Sequence, residues 1–248
     1  MNEKRWLIAC DVDGTLLLPD EGNPGLDDFN RFIESHRDRV TFALDSGRSL
    51  AEMALVAERG PIARPDWLIA GVGTELYPSF DSGDLDREWE TAAAAEWGRD
   101  AARAALASVP GLREQEAARQ HAAKLSYYFE LPADEVLPRV RAALGSILDR
   151  AKIISCMGYF LDVIPAHGGK GAPIEFLARR LGIPRERVIA AGDSANDRDM
   201  LDRGFRSIVV GNRAPGELDD LAGRDCVYFS DARGAAGVME GMRQFGCE

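Results

Sequence analysis

Four short stretches of this chain gather residue types that handle charge. Asp11 and Asp13 stand one residue apart in Asp11-Val12-Asp13-Gly14-Thr15, directly after the apolar run Trp6 to Cys10. Two carboxylates this close at a strand end repel unless a proton or a cation relieves them. A hard ion such as Mg²⁺ suits them and leaves coordination sites for water and a phosphate oxygen. Ser46-Gly47-Arg48 comes just after a second apolar run, Val40 to Leu44. A hydroxyl, nearby backbone amides and the start of the next helix can hold a phosphate there. The same residues also make an ordinary capping turn. Lys170 lies in Gly168-Gly169-Lys170-Gly171. Flanking glycines let the backbone approach a ligand, and the ammonium can neutralise phosphate charge. Gly192-Asp193-Ser194-Ala195-Asn196-Asp197 follows a third apolar run, Val188 to Ala191. Its spacing lets one of Asp193 and Asp197 coordinate a metal while the other supports it.

These motifs need strand ends and helix starts, and the sequence supplies both. Trp6–Cys10, Val40–Leu44, Trp67–Ala70, Val188–Ala191, Ser207–Val210 and Cys226–Phe229 read as short buried strands. Helical patterns fall near Leu26–His36, over Leu50–Arg59, and after Pro173, where Gly182 and Pro184 stop the helix. Such alternation predicts an α/β fold with a mostly parallel sheet and helices on both faces. The middle of the chain differs. Asp81-Ser82-Gly83-Asp84 is a polar break, and Thr91–Ser108 reads as one Ala-rich helix stopped by Pro110-Gly111. Lys124 to Glu130 alternates, with Leu125, Tyr127 and Phe129 on one face and Lys124, Ser126, Tyr128 and Glu130 on the other; a period of two marks a half-buried strand. Val136, Val140, Leu144 and Ile147 mark an amphipathic helix, Lys152–Val163 one or two strands, and Pro165–Gly169 an exit loop. The expected division is a core domain of residues 1–84 and 166–248 and an inserted, smaller α+β unit of residues 85–165.

Composition limits the function classes. The chain has 248 residues, 46% of them hydrophobic, which excludes wholesale disorder. Forty-one acidic against thirty basic residues give a net charge of −11, which argues against a general nucleic-acid binder. No apolar run approaches the ~20 residues of a membrane span, and Trp6–Cys10 is too short for a signal-peptide core. Cys10, Cys156, Cys226 and Cys247 form no CxxC, so a zinc site is not expected. The expectation is a reduced, cytoplasmic protein, a monomer or weak dimer, with neither nucleic acid nor membrane as partner; an acidic surface leaves room for a small anionic substrate, because a local pocket can be positive.

In this order, Asp11 and Asp13, Ser46, Lys170, then Asp193 and Asp197 resemble the four motifs of the haloacid dehalogenase superfamily of phosphohydrolases. An α/β cap inserted between the second and third motifs resembles that of the type IIB members. Pro65–Tyr77, Leu85–Trp89, Lys124–Tyr128, and Leu161–Pro165 before Lys170-Gly171 are similar to stretches of sucrose-phosphate phosphatases. The similarity extends to the phosphatase-like domain of sucrose-phosphate synthases and to mannosylfructose-phosphate phosphatases. Three departures stand out: Tyr159-Phe160 where Lys-Asp or Arg-Asp is usual, Ala195 for a glycine, and Asp13-Gly14-Thr15 for Asp-Asn-Thr.

The resemblance implies a Rossmann-like core with a specificity-setting cap, and a Mg²⁺-dependent sugar-phosphate phosphatase working through an aspartyl-phosphate. In that scheme Asp11 is the nucleophile and Asp13 the acid and base. Mg²⁺ meets Asp11, Asp193 and the Asp13 backbone carbonyl, with Asp197 supporting it directly or through water. Ser46 and Lys170 offset charge on the transferring oxygens. Ser46, Gly47, Arg48, Lys170 and Asn196 are expected to bind substrate. So is Glu75, in the loop after the 67–70 strand, and so are Lys124 and Ser126 on the polar cap face. Trp89, Trp97 and Tyr127 are expected in the cap's own core. Sucrose 6-phosphate is the first substrate implied, and mannosylfructose phosphate or a glycosyl-polyol phosphate the second. Outside hydrolysis stand a catalytically silent sugar-phosphate-binding module, which would bind without releasing phosphate, and a phosphomutase.

Overall fold

The computed structural model describes residues 5–18, 22–59, 62–79, 83–156 and 158–248. The Asp81-Ser82 part of the expected polar break lies outside the described residues. Contacts divide the chain into one unit of Met1–Leu85 with Lys170–Glu248 and a second of Asp86–Gly169.

The first unit is built on apolar strands. β1 (Trp6–Asp11), β2 (Val40–Asp45) and β9 (Val188–Gly192) bury every residue, as strands covered on both faces must. With β3 (Trp67–Ala70), β4 (Glu75–Pro78), β10 (Arg206–Val209) and β11 (Val227–Phe229) they form one sheet in the order β11-β10-β9-β1-β2-β3-β4. Every pairing is parallel except the β3–β4 hairpin. The chain runs outward from β1 through β2 and β3, then resumes on the other side of β1 with β9. This reversal puts a topological switch point at the carboxyl end of β1, where ligands of such sheets bind. Register brings the motifs level there, with Asp11 beside Asp45 and Cys10 beside Ala191.

Alternation along β1 sends Trp6, Ile8 and Cys10 into a cluster with Leu26, Phe29, Phe32 and Ile33 of α1 (Leu26–Ser35) and Ala235, Val238 and Met242 of α8 (Gly234–Gln244). Leu7 and Ala9 are equally buried on the opposite face. α2 (Leu50–Arg59) follows β2 directly. α6 (Gly171–Leu181) has Pro173 in its first turn and buries Ile174, Leu177 and Ala178. Gly182 ends it in the left-handed region. The short α7 (Arg198–Leu201) packs on β9, β10 and α6.

The second unit is a four-stranded antiparallel sheet, β5 (Leu112–Glu114), β6 (Leu125–Phe129), β7 (Ala151–Cys156) and β8 (Phe160–Pro165), in the order β5-β6-β8-β7. Leu125, Tyr127, Phe129, Leu161 and Val163 share one cluster with residues of α4 (Arg99–Leu106) and α5 (Ala133–Leu144). Ala166 N–H donates to the Arg150 carbonyl, and His167 Nε2 lies 3.1 Å from the Ala92 carbonyl. Those bonds keep residues 166–169 with this unit.

Two local expectations need correction. The helix over 91–108 is two helices, α3 (Arg87–Ala93) and α4, because Glu96 and Gly98 take positive φ. That turn buries Trp97, whose indole donates to the Ala122 carbonyl at 3.0 Å. Glu75 is not in a loop but opens β4, the edge strand that pairs antiparallel with β3 after the turn Gly71–Thr74. On the polar face of β6, Lys124 and Ser126 are buried. α8 was not anticipated, since its glycines lower helix propensity; packing against Ile208 and α1 overrides that. No described helix is long and apolar enough to cross a membrane.

Candidate active site

The carboxyl ends of β1 and β9 and the start of α6 deliver three charges to one point. Lys170 is fully buried. Its Nζ donates to Asp11 Oδ1 at 2.5 Å and Asp197 Oδ1 at 2.6 Å. Burial favours the neutral amine, but the carboxylates of Asp11 and Asp197 outweigh it and raise the Lys170 pKa well above its ordinary value. The ammonium is therefore fixed. Burial, and then repulsion from Asp197, push Asp11 well above the usual carboxylate range against the pull of Lys170. Burial and Asp197 likewise lift Asp193 to about 7. A site that concentrates carboxylates out of water raises their pKa values unless positive charge enters.

The loops hold this geometry tightly. Asp197 Oδ2 accepts from the N–H groups of Asp193 at 2.9 Å and Ser194 at 3.2 Å, within a capping box that Ser194 completes. Both Asp197 oxygens are thus engaged. Gly14 has φ +86°, and a Cβ there would stand 2.4 Å from Asp193 Oδ2. Only glycine lets the β1 loop take that turn and lie against that carboxylate. Thr15 Oγ1 donates to Asp193 Oδ1 at 3.4 Å. One oxygen each of Asp11, Asp193 and Asp197 lie within 4.8 Å of one another, the donor set of a hard-cation site.

Asp13 sits at the rim, exposed where Asp11 is buried. Arg48 grips it in a bidentate ion pair, Nε to Oδ2 at 2.7 Å and Nη2 to Oδ1 at 2.9 Å. Ser46 is buried, and its Oγ accepts the Arg48 N–H at 3.2 Å. Behind it, Gly71 N–H donates to the Arg48 carbonyl and Val72 N–H to the Ser46 carbonyl. Val72 has φ +60°, a strained conformation for a β-branched residue that this bracing maintains. Gly47 is the exposed tip of the loop.

Asp11, Asp13, Ser46, Arg48, Lys170, Asp193 and Asp197 therefore fall in one connected set of strand ends. Asn196 flanks it, half-buried, with Oδ1 accepting from Ser194 Oγ at 2.8 Å. Glu75 is buried in β4 and takes a short hydrogen bond from the Tyr77 hydroxyl. In the second unit, Ser126 Oγ shares its proton between Asp162 Oδ1 at 2.6 Å and the Arg119 carbonyl at 3.1 Å. Ser126 can therefore only accept from a ligand. Lys124 is buried beside it at the start of β6.

Two residues escaped the sequence reading. Asp45, level with Asp11, is fully buried, and among the described residues neither carboxylate oxygen has a hydrogen-bond partner. Nothing in Leu44-Asp45-Ser46 separates a buried acid from a solvated one. Asn212 follows β10 and reaches Gly14 across the chain. Its only signal was a Gly-Asn pair at a strand end.

A fixed ammonium between two buried carboxylates, a neighbouring carboxylate at the rim and a hydroxyl loop can bind a phosphate and compensate its charge. Comparison with known proteins agrees with that chemistry. The family model described as sucrose-6F-phosphate phosphohydrolase matches residues 4–246. A mannosylfructose-phosphate phosphatase of Agrobacterium fabrum is 31% identical over 97% of this chain and 96% of its own. A glucosylglycerol-phosphate synthase of Pseudomonas anguilliseptica is 27% identical over 97% of this chain, which spans 31% of that longer protein. The solved sucrose-phosphatase of Synechocystis sp. PCC6803, in complex with sucrose and phosphate, shares the fold at TM-score 0.85 and 22% identity, over 98% of both chains.

Proposed function

We propose that this chain, which belongs to the sucrose-6F-phosphate phosphohydrolase family, hydrolyses the phosphate monoester of a fructosyl disaccharide. It is a phosphoric monoester hydrolase acting on a sugar phosphate. The observation that carries the reading is the buried bridge of Lys170 between Asp11 and Asp197. Sucrose 6-phosphate is the first substrate. Mannosylfructose phosphate is the second, favoured by the 31% identical relative and by Tyr159-Phe160 in the second unit. Both sugars contain a fructosyl unit.

The three converging carboxylates fit Mg²⁺. Their oxygens are hard donors that converge within 4.8 Å, and burial first, then repulsion from Asp197, makes a second negative charge costly at Asp11 and Asp193. Asp11 and Asp193 would hold the ion with the Asp13 carbonyl, and Asp197, already engaged at both oxygens, would support it from behind. Bound there, Mg²⁺ would supply positive charge that favours the ionised form of Asp11 and offsets the charge of a phosphate.

With Lys170 holding its Oδ1, Asp11 attacks phosphorus. The bond from phosphorus to the sugar oxygen breaks, and that oxygen takes a proton from the Asp13 carboxyl. Asp13 must be protonated to do this and so must release Arg48, whose guanidinium then meets the substrate's anionic oxygens. Asp13, now a carboxylate, takes a proton from water as the water oxygen attacks the aspartyl-phosphate. Phosphate leaves and Asp11 is restored. Lys170 and the Ser46 loop stabilise the transferring oxygens throughout.

The test is Mg²⁺-dependent phosphate release from sucrose 6-phosphate, mannosylfructose phosphate, glucosylglycerol phosphate, trehalose 6-phosphate and hexose 6-phosphates, with Asp11→Asn as the blank. The expected result is release with a clear preference for the two fructosides. Preference for a non-fructosyl member would overturn the substrate class. Binding without release from any of them would make the chain a silent sugar-phosphate module.

A further inference from the structure

We infer that Asn212 is a positioning residue for the catalytic loop, resting on the reading of Asp11 and Asp13 as the reacting carboxylates. Its side-chain amide spans two elements far apart in sequence. Nδ2 donates to the Gly14 carbonyl at 2.6 Å, and Oδ1 accepts the Gly234 N–H at 2.8 Å. A carbonyl can only accept and an N–H can only donate, so the two partners fix which end of the amide points where. Gly234 is the first residue of α8, and the residue before it offers no side-chain cap. Asn212 thus satisfies an orphan helix N–H with one atom and the β1 loop with the other.

The loop bond is the one with catalytic consequence. Gly14 turns at φ +86° directly after Asp13, with Asp193 against it. The peptide on its N-terminal side carries the Asp13 carbonyl, and the peptide on its C-terminal side carries the oxygen that Asn212 holds. Within the loop, Gly14 N–H donates to the Leu17 carbonyl and Leu17 N–H to the Val12 carbonyl. Those bonds close the loop on itself and do not tie it to the rest of the unit. Asn212 supplies such a tie, and so fixes where Asp11, Asp13 and Thr15 stand relative to Asp193.

Two variants separate this role from helix capping. Asn212→Asp keeps the acceptor for Gly234, where a carboxylate suits a helix N-terminus, but loses the donor to Gly14. Asn212→Ala loses both. A purely structural residue would lower Tm in Ala and leave kcat intact in Asp. A positioning residue lowers kcat in both by about 10–100-fold, the cost of misplacing reacting groups, and lowers Tm only in Ala, by about 2–4 °C. Turnover of an aryl phosphate reads kcat and KM without depending on the sugar, and KM should move far less than kcat. Mg²⁺ affinity by titration calorimetry should weaken in both variants. Wild-type kcat in either folded variant overturns the inference. So does loss in Asp alone, which would mark the added charge as the cause. A wild-type protein that cleaves no phosphate monoester would overturn the phosphatase reading and this role together.

Discussion

The first unit and the second place their polar groups by opposite means. In the first, Asp11, Lys170 and Asp197 are buried, come from three distant parts of the chain, and satisfy one another or backbone amides. In the second, polar groups neighbour in register on adjacent strands. Ser126 pairs with Asp162 across β6 and β8, and Tyr128 with Phe160. Their remaining bonds go to the nearby segment of Glu116, Arg119 and Gln120. Tyr128 and Phe160 lie 5.7 Å apart, Tyr159 lies 4.1 Å from Phe160, and Arg113 stacks 4.5 Å over Tyr128. Convergent buried charges tolerate little change, because removing one leaves the others unpaired in low dielectric. A sheet face can exchange side chains without disturbing its ladder. Under the proposed function, the first arrangement would serve the chemical step and the second the choice among sugars.

Substitutions inside the buried cluster should therefore be far more costly than any on the sheet face. Asp11→Asn removes the proposed nucleophile and should lower kcat by on the order of 10⁴-fold or more, with an unchanged circular dichroism spectrum. Substantial activity in that variant would break the comparison, since the cluster would then not be where the bond is cut. Lys170→Met keeps the volume but leaves Asp11 and Asp197 facing each other. It should cost about 3–5 kcal/mol of stability and about 10²–10³-fold in kcat, measured by denaturant unfolding and steady-state kinetics. A stable, active Lys170→Met protein would mean the bridge is ornamental.

The sheet face should respond differently. Phe160→Ala and Tyr159→Ala remove aromatic surface worth about 0.5–1.5 kcal/mol per contact. KM for the preferred disaccharide phosphate should rise roughly 2–10-fold, while kcat and the KM of an aryl phosphate stay near wild type. Equal effects on both substrates would erase the distinction between a chemical and a selective region.

Much of the first unit was legible because its strands are short, wholly apolar and closed by chemistry-bearing residues. Trp6–Cys10 before Asp11 and Val188–Ala191 before Asp193 left little choice of element or of end. Boundaries moved by a residue, and β2 extended to take in Asp45. What stayed hidden depended on partners distant in sequence. β4 exists because Leu68 and Ile69 offer it an edge, and its own four residues carry no strand period. The 91–108 segment reads as one helix because alanines dominate it; only the need to bury Trp97 shows that it must break. A lone lysine between glycines gave no sign of full burial, and Ser126 looked free until Asp162 arrived from β8. Asn212 and Asp45 were silent for the same reason. Their significance lies in what the fold sets beside them.

Asp45 gives the smallest effect and the sharpest contrast, because it is buried like Lys170 but has no hydrogen-bond partner among the described residues. Burial is the largest cause of its raised pKa, with Asp11, Asp197 and Asp199 adding to it and Lys170 opposing. In the folded chain it keeps its proton well above the usual carboxylate range, whereas the unfolded chain releases it near ~4. At acid pH both states hold the proton and the group is neutral to stability. As pH rises above ~4 the unfolded state alone ionises, and the folded state loses ground until its own raised pKa is reached. Asp45→Asn cannot titrate and escapes this loss. Its unfolding midpoint in urea, without divalent cations, should match wild type at pH 4.5 more closely than at pH 8, where the variant should be the more stable. kcat should stay near the wild-type value, since a neutral amide replaces a neutral acid. A stability difference that does not change between the two pH values would mean that Asp45 is ionised in the folded protein. It would then belong with Asp11 and Asp197 among the charges that Lys170 holds in place.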